Sequence, residues 1–254
     1  MNFQEVARKA TITIRRFLNR NGIRNKKVFA IGFNKSASTS LHTLFESLGH
    51  PSYHGNKWRD HNNQSVLKKY DCFSDDIPID MVALDQLFPK SKFILNVRDL
   101  ESWIYSRLAH IEHRKRTRQN YHTGPKWDTS KEAIKSWIEQ RNDYHLFVLS
   151  YFSDRPADLL VVNFVRDQSA ATKVCQFLGY KGEYRRPMEN INPNSERPQH
   201  HRELLQRSIR EMEINEIELT YDLYCPSIER GASPFPPDSR ELKVDQTFQR
   251  CQPG

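Results

Sequence analysis

A lysine stands in a turn between a strand-like segment and a helical pattern, at Lys35. The apolar run KVFAIG (27–32) precedes it, and hydroxyl side chains follow it at Ser36, Ser38, Thr39 and Ser40. Where a strand enters a helix through a turn, the backbone N–H groups at the helix start can point at a bound anion. The segment therefore predicts an anion-binding loop with a cation inside the turn.

This loop differs from the phosphate loop of nucleotide-hydrolysing enzymes. That motif, G-x-x-x-x-G-K-[ST], places its lysine directly before the helix. Counting from Gly32, the second glycine of the motif falls on Ala37 and its lysine on Ser38. Helix capping is a simpler explanation for serine and threonine at this point, but capping does not explain a lysine in the turn.

A second pattern suited to phosphate lies later in the chain. Arg98 follows the strand-like run KFILNV (92–97), and Ser106 stands eight residues further on, in RDLESWIYS. An arginine at the end of a strand can bind phosphate through two parallel hydrogen bonds. Ser106 falls a little over two turns along the next helix. The alternative is that the Arg98-Asp99 pair only starts that helix, with Asp99 as its cap.

Together these motifs resemble those of sulfotransferases that use 3′-phosphoadenosine-5′-phosphosulfate (PAPS), and the resemblance extends from about residue 26 to 180. It implies that Lys35 is the catalytic cation and that residues 36–40 hold the 5′-phosphosulfate. Arg98 and Ser106 would bind the 3′-phosphate. Ala37 departs from the family's K-[ST]-G-T-T-[SW] pattern, because it replaces a glycine that tolerates positive φ.

The resemblance also implies the reaction. A sulfuryl group would pass from PAPS to a hydroxyl or amine of a small-molecule acceptor, without a metal ion, and adenosine 3′,5′-bisphosphate would be released. The general base of this family is a histidine or a carboxylate at the end of a strand between the two motifs. Asp75 ends the strand-like run CFSD and is the first candidate, Asp76 is the second, and His54 at the end of PSYH is a rival. One of the aspartates could instead cap the helix that begins near Ile79.

Strand-like and helical patterns alternate along the chain, which predicts an α/β fold with an open, mainly parallel sheet and helices on both faces. The predicted strands are 27–32, 72–75, 92–97 and 158–164, and the predicted helices are 39–49, 79–88, 99–116, 130–153, 168–178 and 199–217. We expect a single domain over 1–254. It would comprise an N-terminal amphipathic helix in 1–25, an α/β core over 26–185, and a C-terminal helix with an irregular wrapping tail over 186–254.

The N-terminal helix carries an apolar stripe beside several basic residues. The stripe consists of Phe3, Val6, Ala7, Ala10, Ile14, Phe17 and Leu18. Such a helix can dock its stripe on the domain or lie on a membrane surface, and docking is the simpler expectation. A basic segment at 113–128 breaks the helical pattern and is expected to be either a solvated loop or a mobile wall over the site.

Composition limits the alternatives. The net charge of +8 favours an anionic partner, and the four separated cysteines are typical of free thiols in a reducing compartment. With no apolar run near 18 residues and no apolar leader, we expect a cytoplasmic protein that neither spans a membrane nor binds nucleic acid. The rival hypotheses are a small-molecule kinase with a P-loop, a family member that binds nucleotide without turnover, and a basic module for RNA or membranes.

Overall fold

The computed structural model describes residues 3–21, 26–117, 127–187 and 197–228. These residues group into two compact units. Unit 1 holds the described residues of 1–97 and 155–191, and unit 2 holds those of 98–154 and 192–254. The single domain expected from the sequence stays a prediction.

Unit 1 is built on a sheet of five parallel strands in the order β2-β3-β1-β4-β5. The strands are β1 (Val28–Ala30), β2 (Ser52–His54), β3 (Cys72–Ser74), β4 (Lys92–Asn96) and β5 (Leu159–Val162). The α/β prediction is therefore confirmed, with every strand pair parallel. Because β1 lies between β3 and β4, the connection that leaves β1 opens at the carboxyl ends of the strands, where ligands bind in open α/β sheets.

Eight α-helices are described, and most follow the sequence prediction within a few residues. In unit 1 they are α1 (Phe3–Arg20), α2 (Ser38–Ser47), α3 (Gln64–Leu67), α4 (Met81–Leu87) and α7 (Ala170–Phe177), and in unit 2 α5 (Leu100–Thr117), α6 (Lys131–Tyr151) and α8 (Gln199–Glu211). The expected continuation of α8 to residue 217 is wrong. Glu213 has a φ of 54° and the Ile214 N–H bonds to the Ile209 carbonyl, a pairing that closes a helix end.

The two faces of the sheet bury different side chains. On one face Val28, Cys72 and Ile94 pack with apolar residues of α2 and α7. On the other, Phe29 stacks on its register partners Phe73 and Phe93, at ring-centroid distances of 5.1 and 5.4 Å. Side chains alternate between faces along a strand, so neighbouring residues of β1 serve both sides. Trp58 and Phe88 also contact the Phe29 ring and cover the aromatic face.

Helix α1 docks on unit 1, but not through its apolar stripe. Arg8 and Arg15 donate to the carbonyls of Glu46 and Gly49, Asn19 donates to Asp71 at 2.6 Å, and Ile12 is buried. From the expected stripe, in contrast, Val6, Ile14 and Phe17 are 45%, 60% and 64% exposed. Arginine side chains hold the helix by hydrogen bonds to carbonyls at the end of α2. The periodicity of apolar residues does not predict such contacts. The prediction that the stripe is the docked face is wrong.

Cys72, Cys175 and Cys225 are buried free thiols, as predicted, and Cys251 lies outside the described residues. Burial raises the pKa of Cys175 and of Cys225 to about 11, so both stay protonated near neutral pH. Within the described ranges, no helix has the length and apolar character needed to cross a bilayer. Residues 118–126 of the basic segment and 229–254 of the expected tail also lie outside the described residues.

Candidate active site

The turn that leaves β1 depends on a glycine and an asparagine. Gly32 N–H donates to the side-chain oxygen of Asn96, at 2.9 Å. A Cβ placed on Gly32 would come within 1.9 Å of the Asn96 carbonyl oxygen, so no other residue fits there without moving β4. The close approach of the two backbones therefore explains why glycine stands at this position.

Asn96 also ties the later part of the turn to β4. Its amide nitrogen donates to the Ser36 carbonyl at 3.0 Å and to the Ser36 hydroxyl at 2.8 Å. The Ser36 hydroxyl in turn donates to the Phe33 carbonyl. The side chain of Ser36, expected to contact the anion, is thus used to shape the loop, although its backbone can still line the site. Sequence reasoning missed Asn96. The feature that could have revealed it is a single amide side chain at the end of a mainly apolar strand.

Two residues of the loop hold a left-handed backbone conformation without being glycine. Lys35 has a φ of 70°, and Ala37 has a φ of 65° with a ψ of 29°. Such residues cost about 1–3 kcal/mol each and persist where the surroundings enforce them. Ala37 is also the N-cap of α2, and alanine has no side-chain oxygen with which to cap. Side-chain capping of α2 therefore does not explain this loop, because the N-cap position is occupied by Ala37.

Replacing Ala37 with glycine should relieve this strain. We expect the free energy of unfolding to rise by up to about 1 kcal/mol and affinity for adenosine 3′,5′-bisphosphate to hold or increase. Urea denaturation and ligand titration measure the two effects. Ala83→Gly, inside α4, is the matched control and should destabilise by about 1 kcal/mol. A clear loss of affinity in Ala37→Gly would show that the methyl group itself supports the loop.

The first turn of α2 presents the remaining hydroxyl residues. Ser38 and Ser40 are buried, whereas Thr39 is half-buried. The Thr39 hydroxyl lies 3.3 Å from Nε2 of His54. This contact links the loop to the end of β2, where His54 is the last residue.

His54 lies among the residues predicted to do chemistry. Its Nδ1 is 3.1 Å from the Ser74 hydroxyl, and its ring stacks on His42 at 5.6 Å. Burial lowers the pKa of His54, the charge of Asp75 raises it, and the charge of Lys35 lowers it, with a net decrease. His54 is therefore mainly neutral near neutral pH, and it feels the charges of both Lys35 and Asp75.

The two candidate aspartates differ in their contacts. Asp75 and Asp76 follow β3 with φ values of 98° and 76°. Asp76 accepts hydrogen bonds from the N–H groups of Asn34 and Ile77, at 3.4 and 3.0 Å, and lies 3.4 Å from Arg59. Asp76 therefore supports the loop. Neither of them caps α4, because that role belongs to Asp80, which accepts from Ala83 N–H.

In unit 2, Arg98 precedes α5. Its Nε donates to the Ser102 hydroxyl at 3.0 Å, and Asp99 accepts from the N–H of Ser102 at 2.9 Å. Asp99 thus caps the helix, so the capping alternative is correct for Asp99 without excluding a binding role for Arg98. Ser106 is half-buried on the same helix.

A buried arginine fixes the start of α5. Arg141 is 1% exposed and donates to the carbonyls of Arg98 and Tyr221 at 3.3 and 2.9 Å. The Leu100 N–H bonds to the same Tyr221 carbonyl. Sequence reasoning missed Arg141, because it stands at an ordinary position in a helical pattern.

A second guanidinium lies near Arg98. Burial lowers the pKa of Arg98, the charge of Asp99 raises it, and that of Arg197 lowers it. Arg197 pairs with Glu101 at 2.9 Å and lies over the Tyr105 ring at 4.7 Å. The positive charges of Arg98 and Arg197, which act on one another, favour an anion in this part of unit 2.

Comparison with known proteins agrees with these features. Residues 27–152 match the model of the sulfotransferase domain, a range that contains the β1–α2 loop, Asp75, Arg98 and Ser106. The curated proteins contain no match to the chain. The chain therefore carries a sulfotransferase domain over residues 27–152.

Proposed function

We propose that this sulfotransferase moves the sulfuryl group of PAPS to a hydroxyl or amine of a small molecule and releases adenosine 3′,5′-bisphosphate. The observation that carries the proposal is the β1–α2 loop. It holds a lysine in a left-handed turn and ends in a helix whose N-cap is alanine. A helix start of this kind suits an anionic group.

The reaction needs charge stabilisation and one proton transfer. The acceptor oxygen or nitrogen forms a bond to sulfur while the bond from sulfur to the bridging oxygen of the donor breaks. The Lys35 ammonium would stabilise the charge that grows on this bridging oxygen. The backbone of residues 36–40 would hold the neighbouring phosphate.

We assign the general base to Asp75. Its electrostatic effect on His54, which also feels Lys35, supports a place near the reacting groups. Its φ of 98° supports a functional role, since strained residues cluster at active sites. Asp76 is less suited because of its contacts to the loop and to Arg59. His54 stays the rival base, since burial keeps it neutral and able to accept a proton.

Arg98 and Ser106 are proposed to bind the 3′-phosphate of the donor. The proximity of Arg197 supports an anionic ligand at Arg98. Arg98→Ala should weaken PAPS and adenosine 3′,5′-bisphosphate by about 10–100-fold, the value of a charge-assisted hydrogen bond or two. Adenosine 5′-phosphosulfate lacks the 3′-phosphate and should be affected much less.

Isothermal titration of the three nucleotides measures this difference. Arg116→Ala, an exposed arginine on the same helix, is the control and should leave all three affinities unchanged. Equal weakening of the three nucleotides by Arg98→Ala would mean that the arginine supports the fold or contacts another group.

Incubation with PAPS and a panel of hydroxylated and amino metabolites tests the function directly. Mass spectrometry should find an acceptor that gains one sulfuryl group. Binding of PAPS without any product would favour the nucleotide-binding, inactive alternative. Preference for ATP with phosphorylated products would favour the kinase, which the serine at position 38 makes less suitable, because a P-loop kinase has its lysine there.

A further inference from the structure

Two helices of unit 2 bring a carboxylate and two imidazoles together. Glu112 lies on α5, while His200 and His201 lie in the first turn of α8. One carboxylate oxygen of Glu112 is 2.9 Å from Nε2 of His200 and 2.7 Å from Nε2 of His201. The three ligand atoms all lie within 4.8 Å of one another.

The cluster combines a fixed side and an open side. The His201 side chain is 1% exposed and that of His200 is 60% exposed, with Glu112 between them at 33%. Helix α8 packs against both α5 and α6, which holds His201 in place. An ion could therefore enter from the side of His200 and meet two ligands that are already positioned.

The donor set suits a divalent transition ion. Imidazole nitrogen and carboxylate oxygen are ligands of Zn²⁺, and three protein ligands leave a fourth position for water. A carboxylate oxygen of Glu112 already faces the Nε2 atoms of both histidines, so the three donors converge on one point.

We propose that Glu112, His200 and His201 form a binding site for a divalent transition ion, with Zn²⁺ the best fit. Binding would use the lone pairs of both Nε2 atoms, so each imidazole would give up its hydrogen bond to Glu112 and carry its ring proton on Nδ1. The ion would tie the start of α8 to α5. The sequence suggested no such site, because Glu112 stands 88 and 89 residues before the two histidines.

The site does not depend on sulfuryl transfer, so it can be tested by binding alone. The full-length protein, freed of metal by a chelator, is titrated with Zn²⁺ in a calorimeter and with Co²⁺ in a spectrophotometer. We expect one equivalent of Zn²⁺, visible absorption bands of four-coordinate Co²⁺, and a rise in the melting temperature with Zn²⁺.

Two variants remove ligands and one serves as a control. His200→Ala and Glu112→Gln should each weaken the affinity for Zn²⁺. The loss should exceed the about 10–100-fold that follows removal of a group that only supports the metal ligands. The control, His113→Ala, changes an exposed histidine next to Glu112 in sequence. Its affinity for Zn²⁺ should equal that of the unchanged protein. His200 is exposed, so His200→Ala should fold normally, and its metal-free melting temperature checks this.

Absence of saturable binding in the unchanged protein would overturn the proposal. Binding that persists equally in His200→Ala and Glu112→Gln would overturn it as well, since the ion would then sit elsewhere. In either case the cluster is a buried histidine hydrogen-bonded to a carboxylate.

Discussion

Replacing Lys35 with alanine should lower the turnover of sulfuryl transfer by about 10²–10³-fold, the usual effect of losing one donor that stabilises charge in a transition state. Alanine keeps the Cβ atom, so the strain at a φ of 70° is unchanged and the variant removes only the side chain beyond Cβ. Steady-state kinetics with saturating PAPS measure the effect. Lys68→Ala, at an exposed lysine of the same unit, should retain full activity.

The same variant has a second readout that does not depend on the acceptor. The Lys35 charge lowers the pKa of His54, because a nearby ammonium disfavours the imidazolium. Removing this charge should therefore raise the pKa of His54, and proton NMR titration of the ring can follow it. A folded Lys35→Ala variant with unchanged turnover and an unchanged His54 pKa would remove Lys35 from the mechanism.

The sequence predicted most of the sheet, because four strands are short apolar runs between helical patterns. It missed β2, whose residues Ser52, Tyr53 and His54 include no aliphatic side chain. This strand pairs with β3 at the edge of the sheet and places His54 beside Ser74. A three-residue edge strand is specified by its pairing with the neighbouring strand, and hydropathy along the chain does not contain that information.

The sequence predicted the positions of the β1–α2 loop and of Arg98 along the chain, but not the contacts that shape the loop. It predicted the loop and the arginine because both stand at strand ends, where spacing is informative. It did not predict that the Asn96 side chain would hydrogen-bond to both Gly32 and Ser36. It also did not predict the positive φ of Lys35 and Ala37. The amide contacts join Asn96 to Gly32 and Ser36, which are 64 and 60 residues away in sequence, so local sequence patterns do not contain them.

Replacing Asp75 with asparagine should abolish most turnover while leaving the affinity for adenosine 3′,5′-bisphosphate nearly unchanged. The reason is that a general base contacts the acceptor rather than the nucleotide, and loss of one typically costs about 10²–10⁴-fold. Asparagine has nearly the same shape and tolerates a φ of 98° at least as well as aspartate. Turnover and nucleotide titration, measured on the same preparation, separate a catalytic from a structural effect.

The pH profile alone does not distinguish Asp75 from His54. An unperturbed histidine base would place the acidic limb of the profile near pH 6.5, but burial and Lys35 lower the pKa of His54 and move that limb toward the range of a carboxylate. The variants distinguish them. The charge of Asp75 raises the pKa of His54, so Asp75→Asn should lower that pKa further.

Each assignment therefore predicts a different response. If Asp75 is the base, Asp75→Asn is nearly inactive at every pH and His54→Ala keeps substantial turnover. If His54 is the base, Asp75→Asn stays active with its acidic limb moved to lower pH, and His54→Ala is inactive. Activity in both variants and in Asp76→Asn would mean that the acceptor reacts without a strong base. An amine that is unprotonated at neutral pH, or an acidic hydroxyl that is already ionised there, can do so.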